Sequence, residues 1–380
     1  MSTPGDLARP VAPQQSAVAA PVFARNNFDL IRLFAATQVA ICHSAEMLSP
    51  ALAQTWPIRL LGLFPGVPIF FFISGYLISR SFERSGTLGR YAQNRALRIF
   101  PGLQVCLLIN LIAVMATGYF NQVGASFSDV LLLYLAKGSF LQFYNPDFMR
   151  GFGDGVLNGS LWTICVELQF YVLIPITYLL FLKKPGARTN LILLVLILVS
   201  LTCNRVLYDL QQVYSQSVLW KLFRVTFLPW IYMFLIGVWI QRNFHLVERL
   251  LARVSFPVAL LGYIALAATL HFGFAWRVDN GVGPLLALPL FCTILLGAYT
   301  RPWLADRLLH GNDISYGIYI YHMPVVNMAL YYKYAAGGVT LFSVLVISLG
   351  LAIASWLLVE RPCLRRKPTS LHAPGKLANP

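Results

Sequence analysis

Apolar stretches of about twenty residues recur along this chain, separated by short polar connections. Stretches of that length match a hydrocarbon core about 30 Å thick and predict membrane-spanning helices. Ten are expected, near 28–48, 60–80, 99–118, 161–182, 190–208, 222–241, 255–273, 282–300, 314–332 and 340–359. An eleventh apolar stretch, 130–144, is shorter and is flanked by a long polar loop, which predicts an interfacial or re-entrant helix. The expected fold is therefore all-α, a polytopic membrane protein of about ten transmembrane helices plus one helix that does not cross. Residues 1–24 are rich in Ala, Pro and Gln with no apolar signal region, and read as a disordered cytoplasmic tail. The membrane domain is expected over 25–362, followed by a short basic cytoplasmic tail over 363–380.

Composition agrees with the pattern. Hydrophobic residues make up 58% of the chain, charged residues 11%, and mean hydropathy is +0.66; soluble domains carry about 25% charged residues. The net charge of +15 could point to nucleic acid, but its distribution does not. Placing both termini in the cytoplasm collects Arg80, Arg84, Arg90, Arg95 and Arg98 on the inner side. The same side holds Lys183, Lys184, Arg188, Arg242, Arg249, Arg253, Arg301, Arg307 and the basic end of the chain. The outer connections hold fewer: Arg59, Lys137, Arg150, Lys221, Arg277 and Lys333, with Arg205 and Arg224 just inside outer span ends. This is the positive-inside asymmetry, so the basic charge reports topology and no nucleic-acid partner is expected. The six cysteines fall in spans or on the inner side, without pairing or metal-ligand spacing, so neither disulfides nor a metal site is expected.

Against this apolar background the polar residues inside the spans stand out. Arg32 and His43 lie eleven positions apart in the first span. Eleven residues make three helical turns plus roughly 20°, so both share one face, about 16 Å apart along the axis. Ionisable groups at membrane depth need a cavity or a partner. Glu167 sits about six residues into the fourth span, at a depth similar to that of His43. A carboxylate beside an imidazole orients the ring and raises its basicity, so His43 and Glu167 are candidate general base and orienting acid. His322 is a second buried histidine; Pro324, two residues on, frees a backbone carbonyl one turn earlier. Arg90, Arg95 and Arg98, in the connection ahead of the third span, suit phosphate recognition. Each feature also has a plainer explanation: packing histidines, a kinked helix, arginines placed by topology. Ser74 and Gly75 favour close helix approach.

Several motifs occur in order: Arg32 with His43, Phe71-Phe-Ile-Ser-Gly-Tyr76, and the arginine run ending Arg98-Ile-Phe-Pro101. Ser160-Leu-Trp-Thr-Ile-Cys-Val-Glu167, Ile314-Ser-Tyr-Gly-Ile-Tyr-Ile-Tyr-His322 and Val359-Glu-Arg-Pro362 follow. Over 28–362 this set resembles the integral-membrane acyltransferase-3 family, which acylates cell-surface glycans and small molecules. Thr163 and Cys165 depart from the residues usual at their positions. The resemblance implies an acyl-CoA co-substrate, most often acetyl-CoA, approaching from the cytoplasm, and no permanently bound cofactor. It implies an acceptor hydroxyl on an exported polysaccharide or its lipid-linked sugar precursor, in the bacterial inner membrane, with polysaccharide-assembly proteins as further partners. CoA phosphates would then lie near Arg90, Arg95 and Arg98, with the thioester arm passing Arg32 toward His43. Glu167 would orient His43 as general base, while Trp162, Tyr316 and His322 would contact substrate. A covalent acyl-His43 intermediate is an alternative. So is a different class of protein, a non-catalytic transporter or flippase for a glycan or small polar solute, although no internal repeat supports inverted halves.

Overall fold

The structure, a computed structural model, describes residues 25–182, 186–214 and 217–366. The tail expected over 1–24, and all but the start of that over 363–380, lie outside the described residues. The protein is helical throughout, with no strand among the described residues. Its principal helices are α1 (Phe28–Leu48), α2 (Gly66–Ser85), α3 (Leu88–Ala116), α4 (Phe127–Lys137), α5 (Trp162–Leu180) and α6 (Ala187–Tyr214). They continue with α7 (Ile231–Arg242), α8 (Phe256–Ala268), α9 (Pro284–Tyr299), α10 (Ser315–Tyr331) and α11 (Gly338–Ser355).

Among the described residues, six helical stretches are long and apolar enough to cross a membrane: Trp56–Ser85, Leu88–Ala116, Gly159–Leu180, Ala187–Leu207, Phe256–Gly273 and Gly338–Arg365. Helices α7 and α9 are apolar but shorter. At 1.5 Å per residue, the 12 residues of α7 span roughly 18 Å, less than a bilayer core. Helices α1 and α10 carry the polar residues of the site described below and are correspondingly less apolar. The chain is thus an integral membrane protein.

Two expected elements differ, and proline or capping explains each. The span expected over 222–241 is divided into a short helix, Val218–Arg224, a turn ending at Trp230, and α7. Pro229 lacks an N–H and disfavours helix in the residue before it. Arg90, Arg95 and Arg98 lie within the first turns of α3, not in a connection. Thr87 caps that helix, its Oγ1 accepting from the Arg90 N–H at 3.3 Å, and 90–100 contains no Gly or Pro to interrupt it.

α1 is central, packed against α2, α10 and α11. Its start is fastened to the end of α9 by Asn27, whose Nδ2 donates to the carbonyls of Gly297, Thr300 and Arg301 while Oδ1 accepts from the Ala305 N–H. α2 and α7 approach so closely that a Cβ on Gly75 would stand 2.0 Å from the Phe234 carbonyl oxygen. One on Gly237 would stand 2.3 Å from that of Phe72. Two helix-interior prolines free carbonyls that other helices then use. Pro324 frees Ile320 O, which accepts from Asn158 Nδ2 at 2.9 Å and Cys106 Sγ at 3.3 Å. Pro175 frees Tyr171 O, which accepts from the Tyr91 hydroxyl at 3.0 Å. α6, α8 and α11 turn large apolar side chains outward, among them Leu191, Leu198, Leu261, Phe342 and Val346, as lipid-facing helices do.

Candidate active site

Two polar clusters lie along α1, one at each end of the Arg32–His43 face. At the first, Arg32 Nη1 donates to Asp313 Oδ2 at 2.8 Å, and Arg98 Nη2, from α3, donates to the same oxygen. Asp313 Oδ1 accepts from the backbone N–H of Ser315 at 3.2 Å and from its hydroxyl. The carboxylate therefore has both oxygens filled. Burial alone would raise its pKa, but the two guanidinium groups and the Ser315 hydroxyl hold it well below the usual carboxylate range. Glu360, from the Val359–Pro362 motif, is buried nearby: it accepts from the Ser355 hydroxyl at 3.0 Å and packs beside Gly102 of α3, as does Tyr316. Asp313 and Glu360 were not among the expected site residues. Asp313 sits one residue ahead of a recognised motif, in a connection too polar to look buried.

At the second cluster, His43 Nδ1 lies 3.3 Å from His322 Nε2. His322 is fully buried, and its Nδ1 lies 3.3 Å from the Ile318 carbonyl. A carbonyl can only accept, so His322 carries its proton on Nδ1 and presents a lone pair at Nε2. His43 then donates from Nδ1 and keeps its own Nε2 lone pair unprotonated. His43 is only partly buried, so that nitrogen belongs to the more accessible ring of the two.

Glu167 stands apart from this pair. Its Oε1 accepts from the Tyr171 hydroxyl at 2.7 Å and the Ser74 hydroxyl at 3.2 Å, and no hydrogen bond joins it to His43 among the described residues. Equal depth on two helices does not make their side chains neighbours, and Glu167 turns toward the next turn of its own helix, where Tyr171 lies. Glu167 and Arg32 instead line one narrow cavity of about 30 Å³ with Phe70, Phe71, Thr163, Tyr316 and Tyr319. That volume is about one water molecule. Tyr319 connects the two regions: its hydroxyl is 2.7 Å from Thr163 Oγ1, one turn before Glu167, and its ring lies 5.9 Å from that of His322.

The remaining expected residues divide. Arg95 donates to the Ser81 hydroxyl at 3.3 Å and lies over the Tyr171 ring. Arg90 is half-buried near the start of α3 and makes no ion pair among the described residues. Arg98 is occupied by Asp313. Trp162 stacks at a tilt against Trp230, with ring centroids 5.1 Å apart. No group of three or more His, Cys, Asp or Glu side chains among the described residues is placed to hold a metal ion.

An all-helical membrane protein with arginine, glutamate and paired histidines on its inner helices is the class that fold and site define. Residues 25–360 match the acyltransferase domain family designated acyltransferase 3, and the chain belongs to that family and is an acyltransferase. It is 31% identical over 373 residues to nodulation protein 10 of Rhizobium leguminosarum, covering 92% of this chain and 95% of that protein. It is 26% identical over 371 residues to an O-acetyl transferase of Shigella phage Sf6, covering 91% and 98%. A peptidoglycan O-acetyltransferase of Listeria monocytogenes is 24% identical over 306 residues, 70% of this chain and 45% of that protein. No solved structure matches the chain.

Proposed function

We propose that the protein is a bacterial inner-membrane O-acyltransferase that moves an acyl group, acetyl in the first instance, from acyl-CoA to a glycan hydroxyl. The observation that carries this reading is the His43–His322 pair, which leaves one imidazole nitrogen as an accessible base inside a membrane protein of an acyltransferase family. The names of the phage and Listeria relatives support an acetyl donor group and a polysaccharide acceptor.

In the proposed reaction, His43 Nε2 removes the proton of the acceptor hydroxyl as its oxygen attacks the thioester carbonyl. The C–S bond then breaks, and the proton held by His43 passes to the departing CoA sulfur. His322 is the group that holds His43 in the required tautomer, the role first assigned to Glu167. The Arg32–Asp313–Arg98 cluster lies at the donor end in the ten-span arrangement with both termini cytoplasmic, and Arg90 and Arg95 are the arginines left to meet CoA phosphates. The cavity beside Glu167 is too small for a pantetheine arm, so donor binding must displace side chains there, with Phe70 and Tyr319 on its wall.

Release of free CoA thiol from acetyl-CoA by the purified protein, supplied with a glycan acceptor, tests this. The wild type should release thiol and His43→Ala should not. Wild-type turnover in a folded His43→Ala protein would sink the mechanism, and solute flux without thiol release would favour a transporter.

A further inference from the structure

A second polar cavity, of about 220 Å³, lies away from both clusters, between the end of α6, the short helix Val218–Arg224, and the loop joining α8 to α9. Its wall includes Asn204, Trp220, Arg224, Trp230, Arg277 and Asp279. This is an unusual lining for a protein whose other large grooves are apolar. The volume equals about seven water molecules at ~30 Å³ each, the scale of a single sugar ring.

Trp220 is 9% exposed, and its indole Nε1–H has no partner among the described residues. A buried donor left unpaired is destabilising unless something accepts from it, and Trp220 belongs to the wall of this cavity. The charges specify the kind of acceptor. Arg277 and Asp279 are loosely paired at 3.7 Å, whereas Arg224 makes no ion pair among the described residues. The lining therefore keeps an excess of positive charge, in guanidinium groups that suit a carboxylate or phosphate. Trp220 and Trp230 add rigid apolar surface for the C–H face of a sugar.

The cavity is also joined mechanically to the Glu167 cavity. Trp230 contacts Trp162 at 5.1 Å and Phe71 at 6.3 Å between ring centroids, and Phe71 lines the Glu167 cavity. Gln169 of α5 clamps the intervening turn, donating to Val225 O at 2.8 Å and accepting from the Phe227 N–H at 2.9 Å. The helix that carries Glu167 thus holds the cavity wall in register.

We propose that this cavity is an acceptor subsite that binds an acidic sugar unit, one bearing a carboxylate or phosphate, next to the unit that is acylated. The proposal rests on the reading of the acceptor as a glycan. The test uses the full-length protein in detergent, titrated with fluorescently labelled tetrasaccharides: one of hyaluronan type, with alternating glucuronate, and one neutral chitotetraose. The acidic probe should bind about tenfold or more tightly than the neutral one, as expected for charge-assisted contacts. Arg224→Gln with Arg277→Gln, and separately Trp220→Phe, should remove most of that preference; His43→Ala should leave it intact. Failure of the acidic probe to bind, equal binding of both probes, or wild-type preference in the substituted proteins would overturn the proposal. Should the double variant not fold, Arg277→Gln alone, at a side chain 71% exposed, supplies the comparison. Thiol release in the absence of glycan, with water taking the place of the acceptor hydroxyl and the acetyl group leaving as acetate, measured on the same samples separates the two readings. Thiol release without saccharide preference removes the subsite and leaves acyl transfer standing, whereas preference without thiol release does the reverse.

Discussion

His322 touches His43 with one ring nitrogen and a backbone carbonyl with the other, so replacing it has a defined consequence. His322→Phe preserves ring volume but leaves His43 Nδ1–H without its acceptor, and either tautomer then becomes available to His43. Thiol release should fall by about 10²-fold or more in kcat, on the scale of general-base contributions, with little change in the KM for acetyl-CoA. A proportionate rise in KM would instead assign His322 to donor binding. Asp313 supports a second residue-scale prediction. Asp313→Asn leaves the Arg98 guanidinium, 12% exposed, without its paired carboxylate, and Arg32, 19% exposed, with Asp29 at 3.9 Å in place of the closer partner. Breaking a buried pair on one side costs about 3–5 kcal/mol, so the melting temperature in detergent should drop clearly, and an unchanged value would show the cluster to be dispensable. Arg32, His43, Glu167 and His322 could each be found in the sequence because a polar residue in an apolar span is conspicuous. Their partners could not. Helical periodicity fixes the face and depth of a side chain but not which helix lies opposite. Thus His43 meets His322 rather than Glu167, and Asp313 is hidden in a connection that looks solvated until α1 and α3 converge on it.

At the scale of helices, the α2–α7 contact depends on two glycines that admit each other's backbone. Gly237→Ala should lower the melting temperature and reduce folded yield, since its Cβ would stand 2.3 Å from a backbone oxygen that cannot rotate away. Gly262→Ala is the matched control: it lies in α8 with nothing within 4 Å of the added carbon, and helix propensity favours alanine by up to about 1 kcal/mol. Equal effects at the two positions would contradict the packing argument. α4 offers a pH-dependent case. Gln104 of α3 donates to Gly138 O at 2.8 Å, just past the end of α4, and Lys137 Nζ donates to Gln142 O at 2.6 Å. Burial pushes the Lys137 ammonium down to about 8. Because the folded pKa is below the ordinary lysine value of about 10.4, the charged form opposes folding fully below pH 8. That penalty fades as pH rises from about 8 toward 10. Relative to Lys137→Met, the wild type should therefore gain melting temperature over that interval, and parallel curves would refute a buried titrating lysine. Sequence reading anticipated the short helix here and the close approach at Gly75, because length and residue size are local properties. It missed the helical continuity through Arg90–Arg98, where hydropathy marks a polar segment but a Thr87 cap and strong helix formers make a helix.

For the whole molecule the number of membrane crossings sets the sidedness of the site: among the described residues six helical stretches meet the length and hydropathy of a span, while basic-residue asymmetry favours ten. Contacts in the structure constrain the answer. Asn27 binds the segment 297–301 and Ala305, which places the start of α1, the end of α9 and the connection before α10 at one end of the bundle. The Arg242–Glu83 ion pair at 3.0 Å likewise joins the ends of α7 and α2. At the opposite end, Asn327 accepts from the Asp154 N–H and donates to Val156 O, and Arg277 shares a cavity with Trp220 and Arg224. Ten crossings with both termini cytoplasmic put the first set inside and the second outside, which also places the cavity proposed as an acceptor subsite on the outer side and Arg32 on the inner side. Single cysteines introduced at Asn280 and Arg307, in a background lacking the six native thiols, test the arrangement. A membrane-impermeant maleimide added to intact cells with a permeabilised outer envelope should label Asn280→Cys and spare Arg307→Cys until the inner membrane is opened. Labelling of both positions, or the reverse pattern, would move the histidine pair and the arginine cluster to the wrong sides for an acyl donor from the cytoplasm. The proposed direction of transfer would fall with the topology.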